Sequence, residues 1–382
     1  MLDLLIINGH VIDPANGVDE VRPVAVYNGK IAHYEEGEPA RHVIDAAGRY
    51  VFPGLIDSHA HMFAEGTDIG IYPDLAYLPT GVTSAVDATA GVSNYRMFRK
   101  SVIEQSKVTI KSFLQVCSAG LATTSYHENI DPKYFNPEKM ARIYDENRDN
   151  ILGLKICQSE ELAEGLGIEP LKATVAIAEK IGCPVEVHCT NIPVPTCEVL
   201  NLLRPGDIFE HVYQGVKNTI IDENGRLYDC VREARKRGIL FDTAEGRKHG
   251  DFDVMRKAKE QGFIADFCST DLVLASTYRR PIFSLPNLMS RYVAMGIPLA
   301  KVVEMAASAP AKLMKMEGQI GCLSEGARAD VAIFSWLDVH QPWRDWKGSA
   351  FEADRILKPE MTLKDGDIVY CAPDYIYEEA YR

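Results

Sequence analysis

The segment Pro53-Gly54-Leu55-Ile56-Asp57-Ser58-His59-Ala60-His61 places two histidines two residues apart at the end of an apolar run. Residues i and i+2 of an extended strand project to one side, so His59 and His61 can aim neutral imidazole nitrogens at the same cation. Taken alone, the spacing also suits two polar residues at a strand end. Three later apolar runs finish in the same way: Val185-Glu186-Val187-His188, Ile208-Phe209-Glu210-His211 and Phe267-Cys268-Ser269-Thr270-Asp271. Singly, each terminal residue reads as a satisfied histidine or a helix-capping aspartate. Jointly, His59, His61, His188, His211 and Asp271 read as one metal-binding rim.

Lys155 adds a different chemistry. It interrupts the run Ile151-Leu152-Gly153-Leu154-Lys155-Ile156-Cys157 with nothing acidic beside it. An unpaired buried ammonium is costly, and burial of a lysine favours the neutral amine. A neutral amine can capture carbon dioxide as a carbamate, an anionic oxygen ligand able to bridge two cations. The competing reading is an ion pair with a carboxylate from a neighbouring strand. Cys157 shares the inward face with Lys155 and could line a pocket, although a small buried hydrophobe fits it as well. Cys189 and Cys268 point away from the adjacent ligands and read as packing.

These residues need a scaffold that brings strand ends together. Between the chain ends, apolar strands alternate with amphipathic stretches, the pattern of repeated βα units around a parallel sheet. The expected strands span 50–57, 81–87, 109–117, 151–157, 184–189, 207–212, 238–243 and 263–270, with helices such as 170–181, 227–237 and 252–261 between them. Enzymes on (β/α)8 barrels place their chemistry at the C-terminal ends of the strands, where these candidates fall. Short strands and turns at both chain ends, including Asn28-Gly29, 331–334 and Gly366-Asp367, predict an accessory β-sheet shared by the two ends. The fold expected is α/β: a (β/α)8 barrel over 51–319, with a small β-sandwich built from 1–50 and 320–382.

The chain has 382 residues, enough for a barrel of roughly 250 and a small second domain. Its 46% hydrophobic and 25% charged residues are ordinary for a globular protein. A net charge of -13 argues against phosphate backbones and anionic lipid as partners. The early Asp3 and the broken apolar start read as a strand entering a turn, not as a signal peptide, and no run approaches the roughly 20 residues of a membrane span. Nine cysteines without a CxxC pair predict reduced thiols, no structural disulfide and a cytoplasmic location.

The order HxH, Lys, His, His, Asp along successive strands resembles the binuclear amidohydrolase superfamily. The resemblance runs end to end and includes Gly326-Ala327-Arg328-Ala329-Asp330-Val331-Ala332, similar to the segment entering that family's accessory β-domain. Gly153-Leu154-Lys155, Asp242-Thr243-Ala244 before His249-Gly250-Asp251-Phe252-Asp253, and Ser269-Thr270-Asp271-Leu272 resemble its deacetylase-like group, often labelled dihydroorotase. The resemblance implies two divalent cations, with His59, His61 and Asp271 on one and His188 and His211 on the other. Carboxylated Lys155 and a hydroxide would bridge them, and Asp271 would carry the proton. It also implies hydrolysis of amides or esters, here of a small carboxylate-bearing substrate such as an N-acyl-amino acid. The all-nitrogen-and-oxygen donor set favours zinc.

Asp57 is expected to orient the first-strand ligands. Arg279 and Arg280, after the eighth strand, are candidates for a substrate carboxylate, with Tyr126, His127, Arg247 and Lys248 on neighbouring loops. Cys157 stands where the deacetylase-like group commonly carries Arg, and Tyr292 and Met295 read as core. The other readings weighed are a cyclic-amide hydrolase, a mononuclear deaminase, which has no need of Lys155, and a non-catalytic assembly protein on the same fold. A small molecule is the expected partner, and a homo-oligomer is compatible with the sequence.

Overall fold

The computed structural model describes residues 1–375. Parallel strands Leu55–Ala60, Val82–Asp87, Thr109–Gln115, Ile151–Cys157, Val185–His188, Ile208–Glu210 and Leu240–Phe241 follow one another around a curled sheet. Apolar residues on both faces, such as Leu154, Ile156, Val185 and Val187, are buried between the barrel interior and the surrounding helices. Helices fall where the 3.6-residue periodicity predicts them, at Glu169–Ile181, Asp229–Lys236 and Phe252–Glu260. Asp251 caps the last of these by accepting from the backbone N–H of Asp253 and Val254.

Two expected strands differ. The segment 50–57 divides at Gly54: Tyr50–Pro53 pairs antiparallel with Val331–Phe334, while Leu55–Ala60 enters the barrel. A Cβ on Gly54 would lie 2.3 Å from Thr83 Oγ1 and 2.9 Å from Asp330 Cβ, so only glycine lets the two sheets meet there. The eighth strand, 263–270, is not a regular strand. It closes the barrel through isolated bridges, Asp242 to Phe267 and Ala60 to Leu272, and through Asp271 N–H donating to His59 O at 2.9 Å.

Both chain ends build the β-sandwich. One sheet orders Lys30–Ala32, Val24–Tyr27, Leu2–Ile7 and Ala40–Asp45; the other orders Asp367–Cys371, Ala350–Lys364, Val331–Arg344, Tyr50–Pro53, His10–Asp13 and Val18–Val21. Leu4, Ile6, Val26 and Ile44 from the first pack against Val11, Val51, Val331, Ile333 and Met361 from the second. The hairpin Val331–Arg344/Ala350–Lys364 is longer than its apolar stretch implies. Its outer part leaves the sandwich and lies on the barrel, where Trp343 and Ala353 pack with Phe252, and Leu357 N–H donates to Ser290 Oγ at 2.7 Å.

The expectation of no structural disulfide is corrected: Cys197 and Cys230 are joined. They sit on the adjacent helices Thr196–Leu202 and Asp229–Lys236 with Cα atoms 5.6 Å apart. A separation of 33 residues carries no motif, so only the packing of the two helices brings the thiols together. Cys189 and Cys268 are free and fully buried, as packing residues should be. Among the described residues no helix is long and apolar enough to cross a membrane.

Candidate metal centre and active site

The C-terminal rim gathers two groups of donors. His61 Nε2 lies 3.0 Å and His59 Nε2 3.6 Å from Asp271 Oδ1. Across the rim, His211 Nε2 lies 2.8 Å from His188 Nδ1. The atoms of His59, His61 and Asp271 lie within 4.8 Å of one another, as do those of His188, His211 and His249. Burial, reinforced by neighbouring Lys155 and histidines, pushes His59, His188 and His211 well below the usual imidazole range. They are therefore neutral donors, the form a cation requires.

Three of the rings are aimed by a contact on the other side. His61 Nδ1 meets Thr89 Oγ1 at 3.1 Å, and Thr89 in turn donates to Asp87 at 2.7 Å. His211 Nδ1 donates to Ala244 O at 2.5 Å, and His249 Nδ1 meets Thr190 Oγ1 at 2.7 Å. Such contacts orient a ring and set its tautomer. Asp57 does not touch the first-strand histidines. Its carboxylate accepts from Tyr77 OH at 3.0 Å and from Thr270 N–H at 3.0 Å, anchoring the irregular closing segment one residue before Asp271. Burial pushes Asp57 up to about 7.

Lys155 is where the structure departs most from expectation. It is fully buried, but two carboxylates face it: Glu210 in direct contact and Glu186 at 3.5 Å. Glu210 also lies 2.7 Å from His59 Nδ1. Glu186 precedes His188 by two residues, so strand alternation could have placed it inside. Glu210 gives no such signal. It adjoins His211, and both point inward because His211 takes a left-handed backbone at φ 55°.

The donor set suits cations. Both carboxylate oxygens of Glu186 are buried without a hydrogen-bond partner, and burial pushes Glu186 up to about 8. Buried carboxylate oxygens behind two clusters of imidazole donors form a set that a bound cation would satisfy. The cavity over the donors is about 360 Å³ and is walled by Ile69, Leu121, Leu162 and Val273, with His127, Glu128 and Cys157 also exposed to it. A larger groove of about 510 Å³ against Phe63, Tyr72, Leu75 and Met97 contains none of the donors, so chemistry and not volume selects the site.

The structure thus brings together His59, His61, Lys155, His188, His211 and Asp271, with Cys157 in the cavity wall. It leaves Arg279 and Arg280 on the surface, where the Arg280 guanidinium lies 5.5 Å from the centre of the Trp343 ring. Arg247 and Lys248 are likewise exposed and outside the cavity wall. Tyr292 is buried as expected but does more than pack, because its hydroxyl donates to Glu245 at 2.5 Å.

A parallel barrel with this rim defines a hydrolase whose chemistry sits at the C-terminal ends of its strands. The amidohydrolase family model matches residues 42–114. A deacetylase from Brucella anthropi is 32% identical over 322 residues, covering 84% of this chain and 80% of its own length. Among solved structures, a dihydroorotase is similar at 29% identity with a TM-score of 0.86, covering 98% of this chain and 99% of its own. An adenine deaminase is similar at 26% identity with a TM-score of 0.89, covering 97% and 100%. The chain belongs to the amidohydrolase superfamily, and it is a hydrolase.

Proposed function

We propose that this hydrolase uses two divalent cations to remove an acyl group from a small carboxylate-bearing molecule such as an N-acyl-amino acid. His59, His61 and Asp271 would hold one cation, His188 and His211 the other, with carboxylated Lys155 between them; zinc suits the donors. The observation that carries this reading is the pair of donor groups, each within 4.8 Å, on one rim under one cavity. Bound cations supply an acidified water and polarise the scissile carbonyl. Asp271 is placed to take the proton and return it to the leaving group, since its carboxylate stands 3.0 Å from His61 Nε2 and remains 12% exposed to the cavity. Ile69, Leu121, Leu162 and Val273 give the cavity an apolar wall beside the donors.

Carboxylation of Lys155 would first remove a proton from its ammonium and then join the neutral amine nitrogen to carbon dioxide with loss of a second proton. Nζ must then leave Glu210, and cations at the rim replace the positive charge that Glu186 and Glu210 lose. Support for the acyl substrate comes from the sequence motifs and from the Brucella relative's description as a deacetylase. Of the basic loop residues expected at the mouth, only His127 lines the cavity, and it is the group to meet a substrate carboxylate.

The Lys155–Glu210 contact favours a second reading, a mononuclear deaminase in which the lysine stays an ammonium. Metal content separates the two. Measured with full loading, kcat/KM should be greater for an N-acetyl-amino acid than for its uncharged amide analogue or for dihydroorotate. Preference for the uncharged analogue, or turnover of the cyclic substrate alone, would reject the acyl-amino-acid assignment.

A further inference from the structure

His249 lies beyond the six expected ligands, on the loop between Leu240–Phe241 and Phe252–Glu260. Its Nδ1 meets Thr190 Oγ1 at 2.7 Å, which turns Nε2 into the cavity, 3.5 Å from Asp271 Oδ2. Its ring centre lies 4.1 Å from that of His211 and 5.2 Å from that of His188. The loop is built to hold it there. Glu245, four residues earlier, is buried against Arg291 at 2.6 Å and Tyr292 OH at 2.5 Å, both on the helix Leu285–Ala294. Gly246 takes φ 49°, and a Cβ on it would meet Asp271 Oδ2 at 2.3 Å and His249 Cδ2 at 2.4 Å, so the loop presses against the centre only because this residue is glycine.

We propose that His249 Nε2 is a third imidazole ligand completing the cation site of His188 and His211. This rests on the reading that the rim binds two cations. Two nitrogens from strand ends and a third from the loop after Leu240–Phe241 would give that site three protein donors, as many as His59, His61 and Asp271 offer the other. The far-side contact with Thr190 is the kind that fixes a ligating imidazole's orientation.

The test uses the full chain stripped by chelation and titrated with Zn²⁺ against a competing chelator, without substrate. His249→Ala should weaken one of the two binding events by at least ~10-fold and leave the other unchanged; Thr190→Val should weaken the same event less. His249→Gly with added imidazole should recover it. Should His249→Ala precipitate, His249→Gln gives the same readout with a side chain that still fills the position. Two events of unchanged affinity in these variants would overturn the proposal and leave His249 facing substrate only. Failure of the two-cation reading itself looks different, because the unsubstituted chain would then not show two events.

Discussion

Among the described residues two lysines are buried, and their surroundings differ. Lys364, in the β-sandwich, meets both oxygens of Asp330 at 2.8 and 3.1 Å, and Asp330 also accepts from Asp365 N–H at 2.9 Å. Lys155, in the barrel, meets Glu210 and Glu186, yet both oxygens of Glu186 have no hydrogen-bond partner. A buried charge that only holds structure together is matched group for group, because every unmet polar atom destabilises the fold. The unmatched cluster lies under four histidines and an aspartate, where matching it within the protein would remove the negative charge that attracts cations. The contrast separates a structural ion pair from a functional one more sharply than burial does, since both lysines are buried.

The largest expected effect is at the rim. Asp271→Asn should lower kcat by about 10²- to 10⁴-fold while metal content falls far less, because the amide can still occupy the position but cannot carry the proton. Equal loss of metal and turnover would make Asp271 mainly a ligand. In the sandwich the effect should be on stability alone. Lys364→Ala leaves Asp330 buried and unpaired, and denaturant unfolding should show a loss of about 3–5 kcal/mol with unchanged metal per folded chain. A drop in metal content there would erase the distinction between the two lysines.

Cys197→Ser should cost about 4 kcal/mol, the loss of a cross-link closing a loop of this size, again with unchanged metal content. Unfolding at the same denaturant concentration as the unsubstituted chain would show that the cross-link contributes little. The smallest effect is expected from Thr89→Val, which removes the partner of His61 Nδ1. Metal affinity at that site should weaken by about 10- to 100-fold, with the melting temperature of the stripped protein nearly unchanged.

Much of the site could be read in the sequence because its ligands sit at the ends of apolar runs, where alternation and strand order are regular. His59, His61 and His188 follow that rule, and Lys155 sits inside its strand two residues before the end. What escaped depends on irregular backbone or on packing. The left-handed turn at His211 brings Glu210 inward, and the closing segment before Asp271 forms bridges instead of a strand. His249 reaches the centre from a loop whose path depends on Glu245 and a glycine, and nothing in its local spacing marks it as a ligand. The Cys197–Cys230 pair and the outer hairpin of Val331–Arg344 and Ala350–Lys364 exist only because other elements pack beside them. Arg279 and Arg280 showed the converse: a position just past a barrel strand suggested a role at the mouth, but the loop carries both away from the cavity.

The central claim is that Lys155, unlike Lys364, serves a pair of cations. The direct test is metal per chain after reloading stripped protein with excess Zn²⁺, with and without bicarbonate, for the unsubstituted chain and for Lys155→Ala. The expected result is about two ions in the unsubstituted chain, reached more readily with bicarbonate, and loss of at least one ion in Lys155→Ala with no bicarbonate effect. One ion per chain in both proteins, indifferent to bicarbonate, would contradict the claim and leave Lys155 as the structural partner of Glu210.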